Sequence, residues 1–181
     1  MGLYTYEENY FLRMTIRILV YIAVIVSFAW FMVYSFLNQT IISGNSMSPV
    51  LEADDFCLVD RLSYDLLRPH RFDVIVFERE DTKKQNVKRI IGLPGETVRI
   101  MDGVIYINDK ELENEYTGFI SLPGIAENAV DLQEDEYFVL GDNADSSEDS
   151  RFQNIGNVRS ESIKGRLWLR MRPFKRFGFI R

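Results

Sequence analysis

The sequence predicts a mainly β fold, in which a folded β-sheet or barrel follows one N-terminal transmembrane helix. Two observations lead to this prediction. Residues 18–37 form an uncharged apolar run, and short runs of β-type residues separated by turn signals follow it. No strongly amphipathic segment of ordinary helix length occurs after Thr40. We therefore expect a short cytoplasmic segment over residues 1–17, a transmembrane helix over 18–37 and a β-rich extracytoplasmic domain over 38–181.

The apolar run, ILVYIAVIVSFAWFMVYSFL, contains no charge and no proline. Twenty helical residues extend over about 30 Å, the thickness of the hydrocarbon core of a bilayer. Arg13 and Arg17 precede the run and the next charge after it is Glu52, so the positive-inside rule places the N-terminus in the cytoplasm. A cleaved signal peptide has a similar charged start and apolar middle. A retained anchor is favoured because the run is long and residues 38–40 are not a small-x-small cleavage site.

Six short runs after the anchor are predicted strands. They are DVIVF (73–77), VKRII (87–91), TVRI (97–100), VIYIN (104–108), EYFVL (136–140) and GRLWLRM (165–171). Asp102 and Gly103 lie between the third and fourth runs, and this dipeptide predicts a hairpin. The segment 111–133 has scattered charges, one proline and two glycines. We expect it to form a long excursion from the sheet.

The composition excludes several kinds of partner. Acidic residues number 27 against 21 lysines and arginines, and the net charge of -6 argues against nucleic acid. The single cysteine, Cys57, rules out an intramolecular disulfide, and its apolar neighbours predict a buried, inert thiol. With only one histidine as well, a zinc site is close to excluded. The run DNADSSED at 142–149 lacks the central glycine of a calcium-binding loop. We therefore expect no metal and no cofactor.

Basic and aromatic residues are concentrated at the C-terminus. From Arg159 onward there are eight lysines and arginines against one acid, Glu161, together with Trp168 and three phenylalanines. Two interpretations remain open. The segment is either a tail that lies near anionic lipid headgroups, or a solvated basic face whose aromatic side chains pack inward.

The stretch SGNSMSPV, residues 43–50, contains a candidate nucleophile, Ser46. Gly44 allows a backbone geometry closed to other residues, and Pro49 fixes the exit from the stretch. Such a turn can present a hydroxyl beside a backbone N–H. The composition alone is that of an ordinary turn, and a serine hydroxyl is a weak nucleophile without a base.

Lys88 is the candidate base. The only histidine, His70, lies in RPHRF, which reads as an exposed loop. Lys88 lies in an apolar run followed by a Gly-Leu-Pro-Gly turn, and an inward-pointing lysine there would be desolvated. Burial lowers a lysine pKa: at pH 7 about one lysine in 2,500 is neutral when the pKa is about 10.4, but about one in ten when it is about 8. A solvated strand residue is the alternative interpretation.

A third cluster, VLGDNADSSEDSRF, occupies residues 139–152. A predicted strand ends within it, and small polar residues follow. This composition is typical of a well-hydrogen-bonded loop. It also fits a functional loop that orients the lysine through a serine hydroxyl and anchors the site through an Asp–Arg pair.

These stretches, in this order behind the anchor, resemble the bacterial type I signal peptidases (leader peptidases) of the compact, single-anchor type. Those are membrane-bound serine/lysine peptidases that cut signal peptides from exported proteins. SGNSMSPVL is similar to the nucleophile box of the family, RFDVIVF to its intermediate strand box, KRIIGLPGE to its lysine box and GDNADSSEDSRF to its last box. The ending RPFKRFGFI is also similar. The resemblance extends over essentially the whole chain.

The resemblance implies a role for each matching residue. Ser46 becomes the nucleophile, Lys88 the general base, and Ser147 the residue whose hydroxyl positions the lysine. Met47 packs beside the nucleophile. The residues that hold the site together by ion pairing are Asp142, Asp149 and Arg151. The family uses no metal or cofactor, and its partners would be the signal peptides of exported preproteins and membrane lipid, with the catalytic domain on the outer face of the cell membrane. We expect a monomer.

The sequence departs from the family pattern at three positions. Many members have a serine or threonine two residues before the nucleophile, where its hydroxyl helps to form the oxyanion hole, and this position is Gly44. Phe72 replaces the glycine of an Arg-Gly-Asp box, and Ala144 stands where an arginine is common. Only the first change affects a catalytic contact, and we expect another group or a water to supply the missing donor.

Two other functions are compatible with the sequence. One is a self-cleaving serine/lysine peptidase like the repressor-type autopeptidases, although those have a DNA-binding domain where this chain has an anchor. The other is a non-catalytic, membrane-tethered β domain that binds a partner. Such a module would not need both Ser46 and Lys88 in these contexts.

Overall fold

The computed structural model describes residues 4–36, 38–113, 116 and 118–180. Helix α1 extends over Tyr4–Phe36, and its residues 10–34 are long and apolar enough to cross a membrane. The side chains described in this stretch are exposed, as expected for a helix that meets lipid rather than a protein core. The predicted span 18–37 lies in this helix except for Leu37, which lies outside the described residues, as do parts of the predicted segments 1–17 and 38–181.

The rest of the described chain is mainly antiparallel β-structure, which confirms the predicted fold class. The strands are β1 (Asn38–Ile41), β2 (Phe56–Asp60), β3 (Val74–Glu78), β4 (Gln85–Gly92), β5 (Thr97–Met101), β6 (Val104–Ile107), β7 (Lys110–Glu111), β8 (Val130–Asp131), β9 (Glu136–Leu140), β10 (Val158–Arg159), β11 (Ile163–Arg172) and β12 (Gly178–Phe179). A short helix, α2 (Leu62–Leu66), follows β2.

The strands form two sheets. The larger has the order β1-β2-β11-β3-β4-β9-β10, with β12 also paired to β11, and the smaller has the order β7-β6-β5-β8. All six predicted runs overlap strands, namely β3, β4, β5, β6, β9 and β11. The predicted turn between β5 and β6 contains Asp102 and Gly103, both at positive φ, as a tight hairpin requires.

Strand β2 was missed by the sequence analysis, although it has the same run of consecutive buried residues as the predicted strands β3 and β9. Cys57, Leu58, Val59 and Asp60 are consecutive and all buried, so the strand shows no alternation between apolar and polar residues. It lies between β1 and β11 in the sheet. Cys57 is fully buried, and burial, aided by the charge of Asp55, raises the pKa of its thiol to about 12.

Three hydrophobic clusters make up the core. One joins the smaller sheet to strands β4 and β9 of the larger sheet, and it includes Ile91, Val98, Ile105 and Phe138. A second contains Met47, Leu51, Cys57, Val74 and Leu167, so the segment that connects β1 to β2 contributes two side chains to it. At the C-terminus the three phenylalanines Phe174, Phe177 and Phe179 are exposed, so they do not pack inward.

Candidate active site

Ser46 lies in the connection between β1 and β2, residues 42–55, which we call the nucleophile loop. Backbone hydrogen bonds close its base: the Ile42 N–H donates to the Asp55 carbonyl (3.0 Å), and the Asp54 N–H donates to the Ile42 carbonyl (2.9 Å). The side chains of Met47 and Leu51 are buried in the core and hold the loop down. Ser46 comes directly before the buried Met47 and is itself half-buried.

Gly44 has a backbone φ of +84°. A side chain added there would meet no other atom within 4 Å, so space is available. The conformation itself is the constraint, because L-residues with a Cβ rarely adopt this region. The glycine therefore sets the course of the chain into Ser46.

Lys88 extends from β4, where it lies opposite Ile75 of β3. Its Nζ lies 2.8 Å from the Ser46 Oγ, a hydrogen-bonding distance, and the residue is 5% exposed. Burial lowers the pKa of Lys88 to about 8, while the charges of Asp149, Glu148 and Asp142 act in the opposite direction. At pH 7 about one Lys88 in ten is then neutral and able to accept a proton.

The loop after β9 packs against the nucleophile loop. The Asn143 N–H donates to the Ser46 carbonyl (3.0 Å). A Cβ at Gly141 would clash with both the Ser46 carbonyl oxygen and the Ser147 hydroxyl, so this close approach requires glycine. The Ser147 Oγ is buried, and no hydrogen-bond partner for it exists among the residues that the structure describes. The structure therefore brings Ser147 to the site without joining it to Lys88.

Two buried ion pairs flank the site. Asp142 accepts two hydrogen bonds from Arg89, one from Nε and one from Nη2, each of 2.7 Å, and both side chains are fully buried. Asp149 accepts corresponding bonds from the Arg151 Nε (2.8 Å) and Nη2 (3.0 Å), and a third from the Gly141 N–H (3.1 Å). Asp142 therefore pairs with an arginine of β4 and not with Arg151.

Arg89 is the residue that the sequence analysis missed. Its Nη1 donates to the Phe72 carbonyl (2.8 Å), and the ring of Tyr116 covers its guanidinium at 3.7 Å. Phe72 has a φ of +70°, so it keeps the left-handed backbone that a glycine would adopt easily, and its ring lies 5.3 Å from that of Tyr116. A signal was available, because an arginine inside an apolar run needs a buried acid as partner.

Arg151 also binds backbone. Its Nη1 donates to the Leu122 carbonyl (2.9 Å) and its Nη2 to the Ala144 carbonyl (2.7 Å), so it ties the segment 111–133 to the loop after β9. The other titratable candidate, His70, has a side chain that is 75% exposed and lies 3.8 Å from Asp73. Within the described ranges, no group of three or more histidine, cysteine, aspartate or glutamate side chains could hold a metal ion.

Serine peptidases are the class of protein to which this fold and this site point. The family model for signal peptidase, peptidase S26, matches residues 15–172. The chain belongs to this family, and the resemblance to the type I signal peptidases is confirmed.

Individual relatives agree. The chain is 36% identical over 145 residues to a probable signal peptidase I-2 of Synechocystis sp., a match that covers 77% of this chain and 65% of that protein. It is 35% identical over 155 residues to signal peptidase I of Bacillus caldolyticus (78% and 83%) and 39% identical over 145 residues to that of Leptolyngbya laminosa (76% and 70%). A crystal structure of a signal peptidase I from Enterococcus faecalis V583 is 34% identical, with a TM-score of 0.45, and the match covers 55% of this chain and 97% of that one.

Proposed function

We propose that this protein is a membrane-anchored serine endopeptidase that removes signal peptides from translocated preproteins by cutting after a small-x-small motif. One observation carries the proposal: the Nζ of a buried lysine, Lys88, lies 2.8 Å from the hydroxyl of Ser46. Membership of the signal peptidase family supports the same activity.

In the proposed mechanism Lys88 acts as the general base. Neutral Lys88 accepts the Ser46 hydroxyl proton as the Oγ attacks the carbonyl carbon of the last residue of the small-x-small motif. The resulting lysine ammonium donates this proton to the leaving amine, and the signal peptide remains attached to Ser46 as an ester. Lys88, neutral again, then takes a proton from a water that attacks the ester carbonyl. It returns this proton to the Ser46 Oγ as the ester bond breaks, which releases the signal peptide and restores the free serine. Burial makes these proton transfers possible, because it lowers the pKa of Lys88 to about 8.

The oxyanion would be stabilised by backbone. Within the described parts of the chain, no acceptor binds the Ser46 N–H, so it is available to donate. Gly44 offers no hydroxyl, and we assign the second donor to a water or another backbone group. One such donor contributes about 10²- to 10³-fold in rate.

Five residues are proposed to support the pair. Ser147 would turn its buried hydroxyl toward Lys88 and restrict the amine. Met47 would fix the nucleophile loop from below. The remaining three, which keep the loop after β9 in place through their ion pairs, are Asp142, Asp149 and Arg151.

The membrane topology is part of the proposal. Residues 1–17 would lie in the cytoplasm, residues 18–37 would cross the membrane beside lipid, and residues 38–181 would form a monomeric catalytic domain on the outer face. Ser46 follows the span by nine residues, close to the surface at which a signal peptide still in the bilayer exposes its cleavage site.

The proposal is tested by incubating the purified full chain, in detergent, with a preprotein. Ser46→Ala and Lys88→Met should each lower the cleavage rate by at least about 10³-fold, because each removes one member of a unit that acts together. Ser43→Ala and Lys84→Met change exposed residues of the same loop and the same hairpin, and they should cleave normally. Unimpaired cleavage by Ser46→Ala or Lys88→Met would contradict the assignment. An intact mass that stays constant on incubation would exclude self-cleavage.

A further inference from the structure

Two arginines near the C-terminus converge on one buried carboxylate of the nucleophile loop. The side chain of Asp55 is fully buried. The Arg176 Nη2 donates to its Oδ1 (2.7 Å), and the Arg170 Nη1 lies 3.4 Å from its Oδ2. The Glu52 N–H completes the set by donating to Oδ2 (3.0 Å). We call Arg170, Arg176 and Asp55 the C-terminal clamp.

The clamp also binds the part of the nucleophile loop that precedes Asp55. The Arg170 Nη1 donates to the Val50 carbonyl (2.6 Å), and its Nε donates to the Arg176 carbonyl (2.6 Å). The Arg176 Nη1 lies 2.7 Å from the Glu52 carboxylate. The returning half of the nucleophile loop, residues 50–55, is therefore bound through side chains more than a hundred positions away in the sequence.

The two halves of the nucleophile loop meet at the clamp. The Asp55 carbonyl accepts the Ile42 N–H, so the residue that binds Arg176 also closes the base of the loop. Ser46 lies between these fixed points. Its hydroxyl must lie within hydrogen-bonding distance of Lys88, and a displacement of about 1 Å at a reacting group can cost about 10²-fold in rate.

We propose that Arg176 is a positioning residue for Ser46: through Asp55 and Glu52 it holds the nucleophile loop in the conformation that places the serine hydroxyl against Lys88. This inference rests on the proposed peptidase function. The Arg176 side chain is 30% exposed and lies outside the three core clusters. Its removal should therefore change the conformation of the nucleophile loop and leave the hydrophobic core intact. The dyad is thereby completed from the turn between the last two strands, β11 and β12.

The kinetic test uses the purified full chain in detergent with a preprotein substrate. Arg176→Ala should lower kcat by about ten- to a hundredfold while KM changes less than about threefold, because substrate contacts remain. Arg176→Lys keeps one charge and should recover part of the loss. Lys175→Ala removes an exposed charge from the adjacent position and should leave kcat unchanged. Equal effects of Arg176→Ala and Lys175→Ala would overturn the inference.

Hydrogen–deuterium exchange gives a readout that does not depend on cleavage. In Arg176→Ala, exchange across residues 42–55 should increase about tenfold, while β4 should exchange as in the parent chain. Unchanged exchange across 42–55 would refute the positioning role even if cleavage fell. If the parent chain cleaved no preprotein, the proposed function would fail, and exchange alone would decide the role of Arg176.

A milder variant covers the case in which Arg176→Ala does not fold. Glu52→Gln removes the half-exposed carboxylate and leaves Asp55 with both arginines. It should give the same pattern at a smaller size, with about a threefold loss in kcat and faster exchange confined to residues 42–55. Normal kcat and normal exchange in Glu52→Gln, with an unfolded Arg176→Ala, would make Arg176 a stabilising residue and overturn the inference.

Discussion

The Ser46–Lys88 pair and the ion pairs beside it differ in the number of hydrogen bonds that join their members. One contact of 2.8 Å joins Lys88 to Ser46, and burial lowers the pKa of the amine. The Arg89–Asp142 pair next to it is equally buried, but two hydrogen bonds of 2.7 Å connect its members. Lys88, which exchanges a proton in the proposed mechanism, therefore has one hydrogen bond to Ser46, whereas Arg89 is bound by two hydrogen bonds to its ion-pair partner.

The difference shows how the domain can bury an amine beside a hydroxyl. Desolvation disfavours the charged lysine, and the acids of the flanking pairs limit the effect: Asp149 is the largest of the opposing charges. Arginines bind both of these carboxylates, and the Gly141 N–H also binds that of Asp149. Through their acids, the two ion pairs therefore limit how far burial lowers the pKa of Lys88.

The largest effect on stability is expected when one of the buried ion pairs is broken. Asp142→Ala leaves the buried Arg89 guanidinium without its carboxylate, and this should lower the free energy of unfolding by about 3–5 kcal/mol. Urea denaturation in detergent measures it. Asp145→Ala, an exposed aspartate in the same loop, is the matched control and should cost far less. Similar losses of unfolding free energy in the two variants would mean that the buried ion pair does not stabilise the fold more than an exposed aspartate does.

Ser147→Ala should separate activity from stability. The Ser147 hydroxyl is buried without a partner in the described chain, so its removal should change the free energy of unfolding by less than about 1 kcal/mol. If the hydroxyl restrains Lys88, kcat/KM should fall about ten- to a hundredfold, the value of a hydrogen bond to a charged group. The exposed neighbour Ser146 provides the control, Ser146→Ala. A fully active Ser147→Ala would remove Ser147 from the site.

The pH dependence of cleavage reports the lowered pKa of Lys88. With a pKa of about 8, the neutral fraction rises from about one tenth at pH 7 to about nine tenths at pH 9, so kcat/KM should increase about tenfold over this interval. For stability, the folded pKa lies below the unfolded one. The cost of burying the charged amine is therefore complete below pH 8 and is relieved as the pH rises toward 10.5. A rate already constant at pH 7 would contradict this.

The smallest effect is expected at Gly44. Gly44→Ala places a Cβ in open space but on a backbone with φ of +84°, and this should lower the free energy of unfolding by about 1 kcal/mol. Gly178→Ala is the control, because that glycine also has open space around it but no positive φ. Equal stability of the two variants would mean that the loop does not need this conformation.

The sequence was most informative where local context determines chemistry. Ser46 follows the apolar run closely, and Lys88 lies in an apolar strand with no histidine suited to replace it, so both residues could be proposed before any coordinates. Six strands were found because their residue types and turns are local signals. The fold class followed from the same signals.

The rest depends on topology. Strand β11 comes late in the chain yet lies between β2 and β3, and no local pattern encodes this order. The partner of Arg89 cannot be identified locally, because Asp142 lies 53 positions away and reaches Arg89 only when β4 pairs with β9. The C-terminal clamp was missed for the same reason. Helix α2 has five residues, too few to produce a periodic pattern.

The burial of Cys57 has a practical consequence for spectroscopy. The thiol is inaccessible and its pKa is about 12, so almost no thiolate is present at neutral pH. A cysteine introduced at an exposed position, such as Phe177→Cys, would be the only one to react with a maleimide dye or spin label. Distances from the C-terminus to a bilayer could then be measured without first removing a native cysteine.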